Sequence, residues 1–555
     1  MKDHTGREQI LSFLNNPVGN GQQWVTPGLI VLAALTGMLL VAWSTLLGPG
    51  VGGDATIYLT SAQNLARGIG LGLVEPDGSF RLLPYSAPLF PLMLTPFAAV
   101  GVDLTPVARW LNIALFGGMI FLAGWVSLKT TGSRWMSSLP AWLIACSPVL
   151  LPVYSWAMAE PVTLVFGFGG LVFLLRHLDA DIPHRLGWPE LCGLVLGFSA
   201  AARYSAAAFL AASLLVYLLW GKVTFRKRLF TAFRIGLVGI IPMAVWMVVQ
   251  LGWTDSVSAR TVLTLEEMRE RLMLFWPQLN SALVVWALPA SFLEAPPYPG
   301  WINSFLPLVF FASLGVLTFW QCRIKRSAAV GKLLLSLWIF TGIYIGLLLL
   351  VYLTTYPPIT IDNRMLSPAH TAVIWIAGLI LVQISEHNAS RWWKAVIWII
   401  LLGFVSWYGI RTIRIVIQNS ETGLGYNARV WRQSRVIDGI KELPVNQILV
   451  TNETMAVLYL TGRVASPVAE IYFDDPAYPF TRYGDGPVGR DPAEAEFKSG
   501  KTILVVFDTL EAQFASIYGD KADKRTELFT QGLSEVFSSD HGAILKYPVG
   551  LPQQE

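Results

Sequence analysis

Apolar runs of about twenty residues, the length that crosses a bilayer's hydrocarbon core, recur along the first three-quarters of the chain with short polar stretches between them. They predict membrane helices over 27–47, 106–128, 136–155, 160–177, 229–250, 303–320, 332–353, 367–385 and 393–412. The apolar stretch from Glu190 to Trp220 is too long for one span, and Ala202-Arg203-Tyr204 stands in its middle. Arg176 and Arg185 precede it, and Lys222, Arg226, Lys227 and Arg228 follow it, so both flanks read as cytoplasmic by the loop-cation rule. The stretch then has to enter and return as a hairpin of two short helices, with Arg203 at or near the far turn. Lys129 and Arg134, then Arg323, Lys325, Arg326 and Lys332, then Arg391 and Lys394 fall on the same inner side. The pattern predicts about eleven spans: a cytoplasmic segment 1–26, a membrane domain 27–414, and an extracytoplasmic C-terminal domain 415–555.

Two outer segments do not fit a span. Pro88 to Val100 is apolar but short and is broken by Pro91 and Pro96, so it reads as a helix along the external interface. Ahead of it, Ile57, Leu59, Ala62, Leu65 and Ala66 form an imperfect helical stripe over Asp54 to Arg67. Both lie in an external loop, 48–105. A second external loop, 251–302, carries a charged helix-like piece from Leu265 to Leu274 and then Ala295-Pro296-Pro297-Tyr298-Pro299-Gly300, a mobile-loop signature. Beyond residue 420, helix-like pieces (Val430 to Leu443, Leu510 to Tyr518, Arg525 to Leu533) alternate with β-rich runs (Gln447 to Thr451, Thr502 to Phe507, Gly542 to Tyr547). That alternation predicts a small α/β domain.

Composition agrees with this picture. The 555 residues are 54% hydrophobic and only 14% charged, with 22 Trp, too little charge to coat a soluble protein of that size. The net charge of +4 is accounted for by the inner-loop cations and gives no ground for a nucleic-acid partner. Three cysteines cannot build a disulfide framework. Met1 to Gln23 is polar for too long to be a removable signal, so the first span is expected to remain.

The topology collects Asp54, Arg81 and Tyr85 of the first loop on the outer face, with Glu160 at the head of a span, Arg203 in the hairpin and Arg364 before a late span. Each has an ordinary structural explanation. Asp54 can cap the helix that follows it, and Glu160, before Pro161, suits the positive end of a helix dipole. Arg203 can snorkel from its turn, and Arg364, beside Asp362, can be an external anchor. Taken together they supply what transfer from a lipid phosphate needs: a base for the acceptor proton, worth ~10²–10⁴ in rate, and cationic or hydrogen-bonding groups for the departing phosphate.

Gly53-Asp54-Ala55-Thr56-Ile57-Tyr58, Ala159-Glu160-Pro161-Val162, Ala201-Ala202-Arg203-Tyr204-Ser205 and Asn363-Arg364-Met365-Leu366-Ser367-Pro368, in that order, resemble the GT-C glycosyltransferases. Within these, the chain is similar to the protein mannosyltransferases and the lipid A aminoarabinose transferases, over roughly Asp54 to Pro368. The resemblance implies a GT-C helical bundle and a polyprenyl-phosphate-sugar donor, with a protein, lipid or glycan acceptor at the external face. It implies Asp54 as catalytic base with Glu160 as second acid, and Arg203, Arg364, and Arg81 or Tyr85 at the donor phosphate. Tyr58 and Tyr204 would position substrate. The location implied is a multi-pass protein of a bacterial inner membrane; from their position alone, the second loop and the C-terminal domain are expected to gate or select the acceptor.

The chain departs from the family at Leu83-Pro84-Tyr85-Ser86-Ala87-Pro88, where several aminoarabinose-type members carry Glu-Lys, so a phosphate-contacting Lys and an acidic metal ligand are missing. His177, His184 and His387 fall on the inner side, and only His370 approaches the outer one, which disfavours a divalent metal; no cofactor is read from the sequence. The competing expectation is a transporter or flippase of lipid-linked sugars, which would put polar groups at bilayer mid-depth in discontinuous helices. A membrane scaffold, indifferent to loss of Asp54 and Glu160, is the third.

Overall fold

The computed structural model describes residues 24–82, 87–132, 135–179, 187–253, 261–289, 291–294, 299–323, 328–356, 359–386, 391–468, 497, 499–518, 530, 532–539 and 541–548. Tyr85, the 295–298 part of the Pro-rich break and most of Arg525 to Leu533 lie outside the described residues.

The membrane part opens with α1 (Val25–Ser44), then α2 (Gly53–Ala66), the hairpin β1 (Gly72–Val74) and β2 (Phe80–Leu82), α3 (Leu89–Ala99) and α4 (Leu104–Thr131). It continues with α5 (Leu139–Ala145), α6 (Leu150–Ser155), α7 (Glu160–Asp179), α8 (Trp188–Ala202), α9 (Ala207–Trp220) and α10 (Phe225–Trp253). The two-residue strand β3 (Thr261–Val262), α11 (Leu265–Ala287), α12 (Trp301–Arg323), α13 (Ala328–Thr354), β4 (Thr355–Tyr356), α14 (Ser367–Glu386) and α15 (Arg391–Thr422) complete it. Among the described residues, seven of these helices are long and apolar enough to cross a membrane: α1, α4, α7, α10, α12, α13 and α14. The chain is a multi-pass membrane protein.

The other predicted spans take different forms. The hairpin of 190–220 is present as α8 and α9, and Arg203 is the residue that ends α8, in extended conformation at φ −151° and ψ 132°. The segment 136–155 is not one helix. It breaks between α5 and α6 at Ser147-Pro148, where proline removes an N–H and clashes with the preceding turn. The last predicted span becomes α15, 32 residues long.

Aromatic stacking and buried hydrogen bonds hold the bundle. Phe209 of α9 stacks on Phe340 of α13 with ring centroids 3.9 Å apart, and Phe168 of α7 meets both rings edge-on. The indole N–H of Trp375 in α14 donates to Ser127 Oγ of α4 at 3.0 Å, the kind of polar tie that joins helices where the surroundings offer no water. Arg109 of α4 donates to the Ala42 carbonyl and to Thr45 Oγ1, satisfying the open end of α1.

The C-terminal domain is α/β, as its alternating pattern predicts. It comprises α16 (Arg435–Glu442), β5 (Ile448–Thr451), α17 (Thr454–Thr461), β6 (Ser466–Pro467), β7 (Thr502–Phe507), α18 (Thr509–Tyr518), β8 (Ser534–Ser539) and β9 (Gly542–Lys546). The sheet order is β6-β5-β7-β9-β8, with β5, β6 and β7 parallel and β9 antiparallel to its neighbours. Val436, Ile437 and Ile440 of α16 pack on one face of the sheet, and Leu510 and Phe514 of α18 on the other.

Glu453, between β5 and α17, is half-buried, accepting from Thr509 Oγ1 at 2.8 Å. Burial pushes its carboxyl above the usual carboxylate range, against the opposing pull of the Thr509 hydroxyl. The folded state therefore holds this proton more tightly than the unfolded chain does. That stabilisation is complete below the ordinary carboxyl pKa and is lost as pH rises through the raised value. Glu453→Gln, fixed in the neutral form, is expected to flatten this part of the stability curve, read as the pH dependence of thermal unfolding.

The domain is clamped onto the first loop. Pro49 to Gly52 runs as an extended strap between the segment before α7 and the linker after α15. On one side Gly50 N donates to Ser155 O and Ala157 N to Gly50 O, both at 2.9 Å; on the other Tyr426 N donates to Val51 O at 2.7 Å. Asn427 Nδ2 adds a bond to Pro49 O at 2.7 Å. Met455 and Leu458 of α17 pack against Ile57 of α2 and Leu73 of β1. The strap tolerates no bulk: Gly425 has φ +54°, and a Cβ there would lie 2.2 Å from Val51 O. Gly425→Ala is expected to cost about 1–3 kcal/mol and to expose the linker, measured as faster proteolytic release of the C-terminal domain.

Candidate active site

The strap leads directly into α2, whose first turn carries Asp54 at the positive end of the helix. Its other neighbour, the segment 155–157, leads into α7, whose first residue is Glu160. Two residues distant in sequence are thus set side by side by backbone hydrogen bonds. The turn between α8 and α9 delivers Arg203. The turn before α14 delivers Arg364, held rigidly from all sides: Asp362 Oδ1 accepts from Met365 N at 2.7 Å, Ser367 Oγ donates to Arg364 O at 2.7 Å, and Tyr344 OH donates to Met365 O at 2.6 Å.

These four side chains form one row of alternating charge. Arg364 Nη1 meets Asp54 Oδ2 at 2.9 Å, and its Nε lies 3.3 Å from Glu160 Oε1. Arg203 Nη1 is paired with the same Glu160 oxygen. Exposure is higher in the outer pair than in the inner one: the Asp54 side chain is 53% exposed and Arg364 35%, against 3% for Glu160 and 19% for Arg203. A buried carboxylate shared by two guanidinium groups is a fixed counter-charge. The accessible pair is Asp54 and Arg364. Arg203 Nη2 reaches Met365 Sδ at 2.7 Å, so the inner end of the row is closed by sulfur and protein.

Tyr58, one turn after Asp54, packs edge-on against Phe90 at 5.5 Å. Burial raises its hydroxyl pKa well above the ordinary value, within the fields of Arg203, Glu160, Asp54 and Arg364, so it stands by the row as a neutral donor. Tyr204 is tied elsewhere. Its hydroxyl accepts from Trp246 Nε1 at 3.1 Å and Gln250 Nε2 at 3.4 Å, joining the hairpin turn to α10. Arg81 is on the β1–β2 hairpin and pairs with Glu75 at 2.6 Å, not with the row. Among the described residues no group of three or more His, Cys, Asp or Glu stands together as a metal site would require. Asp54 Oδ2 and Glu160 Oε1 are each met by a guanidinium group.

Sequence reasoning missed the supports of the row. Tyr344 and Asp362 fix the Arg364 turn. Asn363 accepts from Trp286 Nε1 of α11 at 3.0 Å, linking that turn to the second loop. Asp362, three residues before Met365, is a local capping signal visible in the sequence; the bonds from Tyr344 and Trp286 span long separations and are not.

No protein-family model and no curated protein matches the chain. Among solved structures it is similar to ArnT from Cupriavidus metallidurans bound to undecaprenyl phosphate, with a TM-score of 0.56 and 14% identity over 93% of this chain and 98% of that one. The apo state of the same protein superimposes at 0.53 with 12% identity, over 94% and 98%. The archaeal oligosaccharyltransferase AglB from Archaeoglobus fulgidus, in complex with an inhibitory peptide and a dolichol-phosphate, superimposes at 0.52 with 12% identity, over 97% of this chain and 76% of that one.

Proposed function

Starting from the GT-C fold that this chain has, we propose that it is an inverting glycosyltransferase that moves one sugar from a polyprenyl-phosphate carrier to an acceptor hydroxyl at the external face of a bacterial inner membrane. The observation that carries this reading is the exposed Asp54–Arg364 pair, backed by the buried Glu160 and Arg203. In the reaction, the acceptor oxygen attacks the anomeric carbon opposite the phosphate. Its proton passes to the Asp54 carboxylate, and the bond to the phosphate oxygen breaks with its electron pair staying on the leaving polyprenyl phosphate. Arg364, and behind it Arg203, meet that charge. Glu160 pairs with both guanidinium groups, and Tyr58 hydrogen-bonds bound substrate.

Arg364 serves both partners. While it neutralises Asp54 the carboxylate is a weakened base, and an arriving donor phosphate competes for the guanidinium. Donor binding thereby releases the base. Arg364→Ala is expected to weaken donor binding about tenfold to a hundredfold, the loss for a charge-assisted hydrogen bond; unchanged donor affinity would remove Arg364 from the phosphate site.

A carrier for the same lipid would hold its polar groups at mid-depth. Here four charges from three separate turns and a strap gather at one end of the bundle, which favours transfer over transport. The deciding experiment is consumption of a panel of polyprenyl-phosphate sugars by the protein in lipid with a crude acceptor extract, wild type beside Asp54→Asn. Loss of one donor with release of polyprenyl phosphate, in wild type only, supports the proposal; movement of labelled lipid across the bilayer by both proteins without consumption sinks it.

A further inference from the structure

The residue ahead of Arg364 has a partner from outside its own turn. Trp286 stands one position before the end of α11 and is buried, and its indole N–H donates to Asn363 Oδ1 at 3.0 Å. An indole is a donor only, so this bond fixes which end of the Asn363 amide faces it. On the other side of Arg364, the Tyr344 hydroxyl from α13 donates to the Met365 carbonyl at 2.6 Å. Two long-range bonds from two different helices therefore bracket the residue of the row that meets both Asp54 and Glu160.

The indole is itself held in place. Its ring meets the His370 ring edge-on with centroids 4.6 Å apart, and His370 Nε2 is 3.0 Å from Ser147 Oγ at the break between α5 and α6. The last turn of a helix leaves its carbonyls without intrahelical partners, and α15 supplies a donor to three of those of α11 in succession. Arg411 Nη2 donates to Val285 O and Trp407 Nε1 to Ala287 O, both at 2.8 Å, and Tyr408 OH donates to Trp286 O between them.

We propose that Trp286 is a positioning residue for the donor phosphate, acting through Asn363 to hold Arg364 where it meets Asp54 and Glu160. The inference rests on the assignment of Arg364 to that phosphate. A backbone free to shift ahead of Arg364 would spread its guanidinium over several placements, whereas a phosphate contact with paired donors needs one. Fixing the turn before the ligand arrives lowers the ordering cost of binding.

The test is native mass spectrometry of the full-length protein in detergent, titrated with geranylgeranyl phosphate as a short polyprenyl phosphate and with geranylgeraniol as its uncharged counterpart. Trp286→Phe removes the N–H and keeps an aromatic ring against His370. It is expected to weaken binding of the phosphate roughly threefold to tenfold, the worth of one neutral hydrogen bond. Asn363→Ala should give the same loss, and the two together no more than either alone. In an Arg364→Ala background Trp286→Phe should have no further effect, and geranylgeraniol should bind all variants alike. Trp338→Phe removes a comparable indole bond, to Thr318 Oγ1 at 2.9 Å between α13 and α12, and should keep the wild-type affinity. If Trp286→Phe does not fold, as judged by thermal unfolding, Asn363→Ala alone should show the loss. The same loss in Trp338→Phe, or a further loss on top of Arg364→Ala, would overturn the proposal by assigning the effect to a loosened bundle. Wild-type affinity in Trp286→Phe and Asn363→Ala, with Arg364→Ala impaired, would overturn this inference alone. Equal affinity of wild type and Arg364→Ala would overturn it together with the phosphate role of Arg364.

Discussion

Asp54→Asn is expected to lower turnover by about 10²–10⁴ while leaving donor binding within a few-fold of wild type. The amide keeps the size and the hydrogen-bonding oxygen of the carboxylate but cannot take the acceptor proton. Because Arg364 also loses the anion it neutralises, its guanidinium becomes freer to meet a phosphate, and donor affinity is expected to hold or rise slightly. This split, with kcat collapsed and donor affinity kept, is what separates a base from a binding residue. A fall in donor affinity with kcat intact would move Asp54 out of the chemistry.

Glu160→Ala is expected to act on the fold first. The residue is buried and is the shared partner of Arg203 and Arg364, so its removal leaves two guanidinium groups with one exposed carboxylate between them. Removing one partner of a buried pair costs about 3–5 kcal/mol, which should appear as a large fall in thermal unfolding temperature together with lost turnover. Glu160→Gln should recover part of the stability through its side-chain oxygen without restoring the charge. A wild-type unfolding temperature in Glu160→Ala would show that the row is not held by its centre.

The parts of this site that are legible in the sequence are those fixed by which side of the membrane a residue faces. Cations on both flanks of 190–220 require a hairpin, and the hairpin puts Arg203 at its turn, where it is found. Asp54, Glu160 and Arg364 each follow or precede an apolar run at the same predicted side, and they converge. The pairings among them are not legible, because salt bridges between positions 54, 160, 203 and 364 depend on how helices pack, which no local pattern records. Arg81 shows the converse. Glu75-Pro76-Asp77-Gly78 is a turn signature, and it folds Arg81 back onto Glu75, a local partner that competes with the expected phosphate role. The break in 136–155 is signalled by Pro148, but the hydropathy of the whole segment masks it. In the C-terminal domain, β5, β7 and β9 stand out because their residues are apolar and β-branched, whereas β8, Ser534–Ser539, is largely exposed at the sheet edge and carries little apolar signal.

The strap of Pro49 to Gly52 also bears on how the protein is made. One of its two flanking segments, 155–157, emerges from the ribosome soon after it, but the other, Gly425 to Asn427, follows only when more than three-quarters of the chain has been synthesised. Chains fold from the N-terminus during synthesis, so the bundle can insert and pack before the strap is secured from both sides. A nascent or truncated chain ending before residue 425 would occupy the membrane with its first loop still unfastened. The addition of Gly425 to Asn427 is thus the step at which the first loop is fastened from its second side.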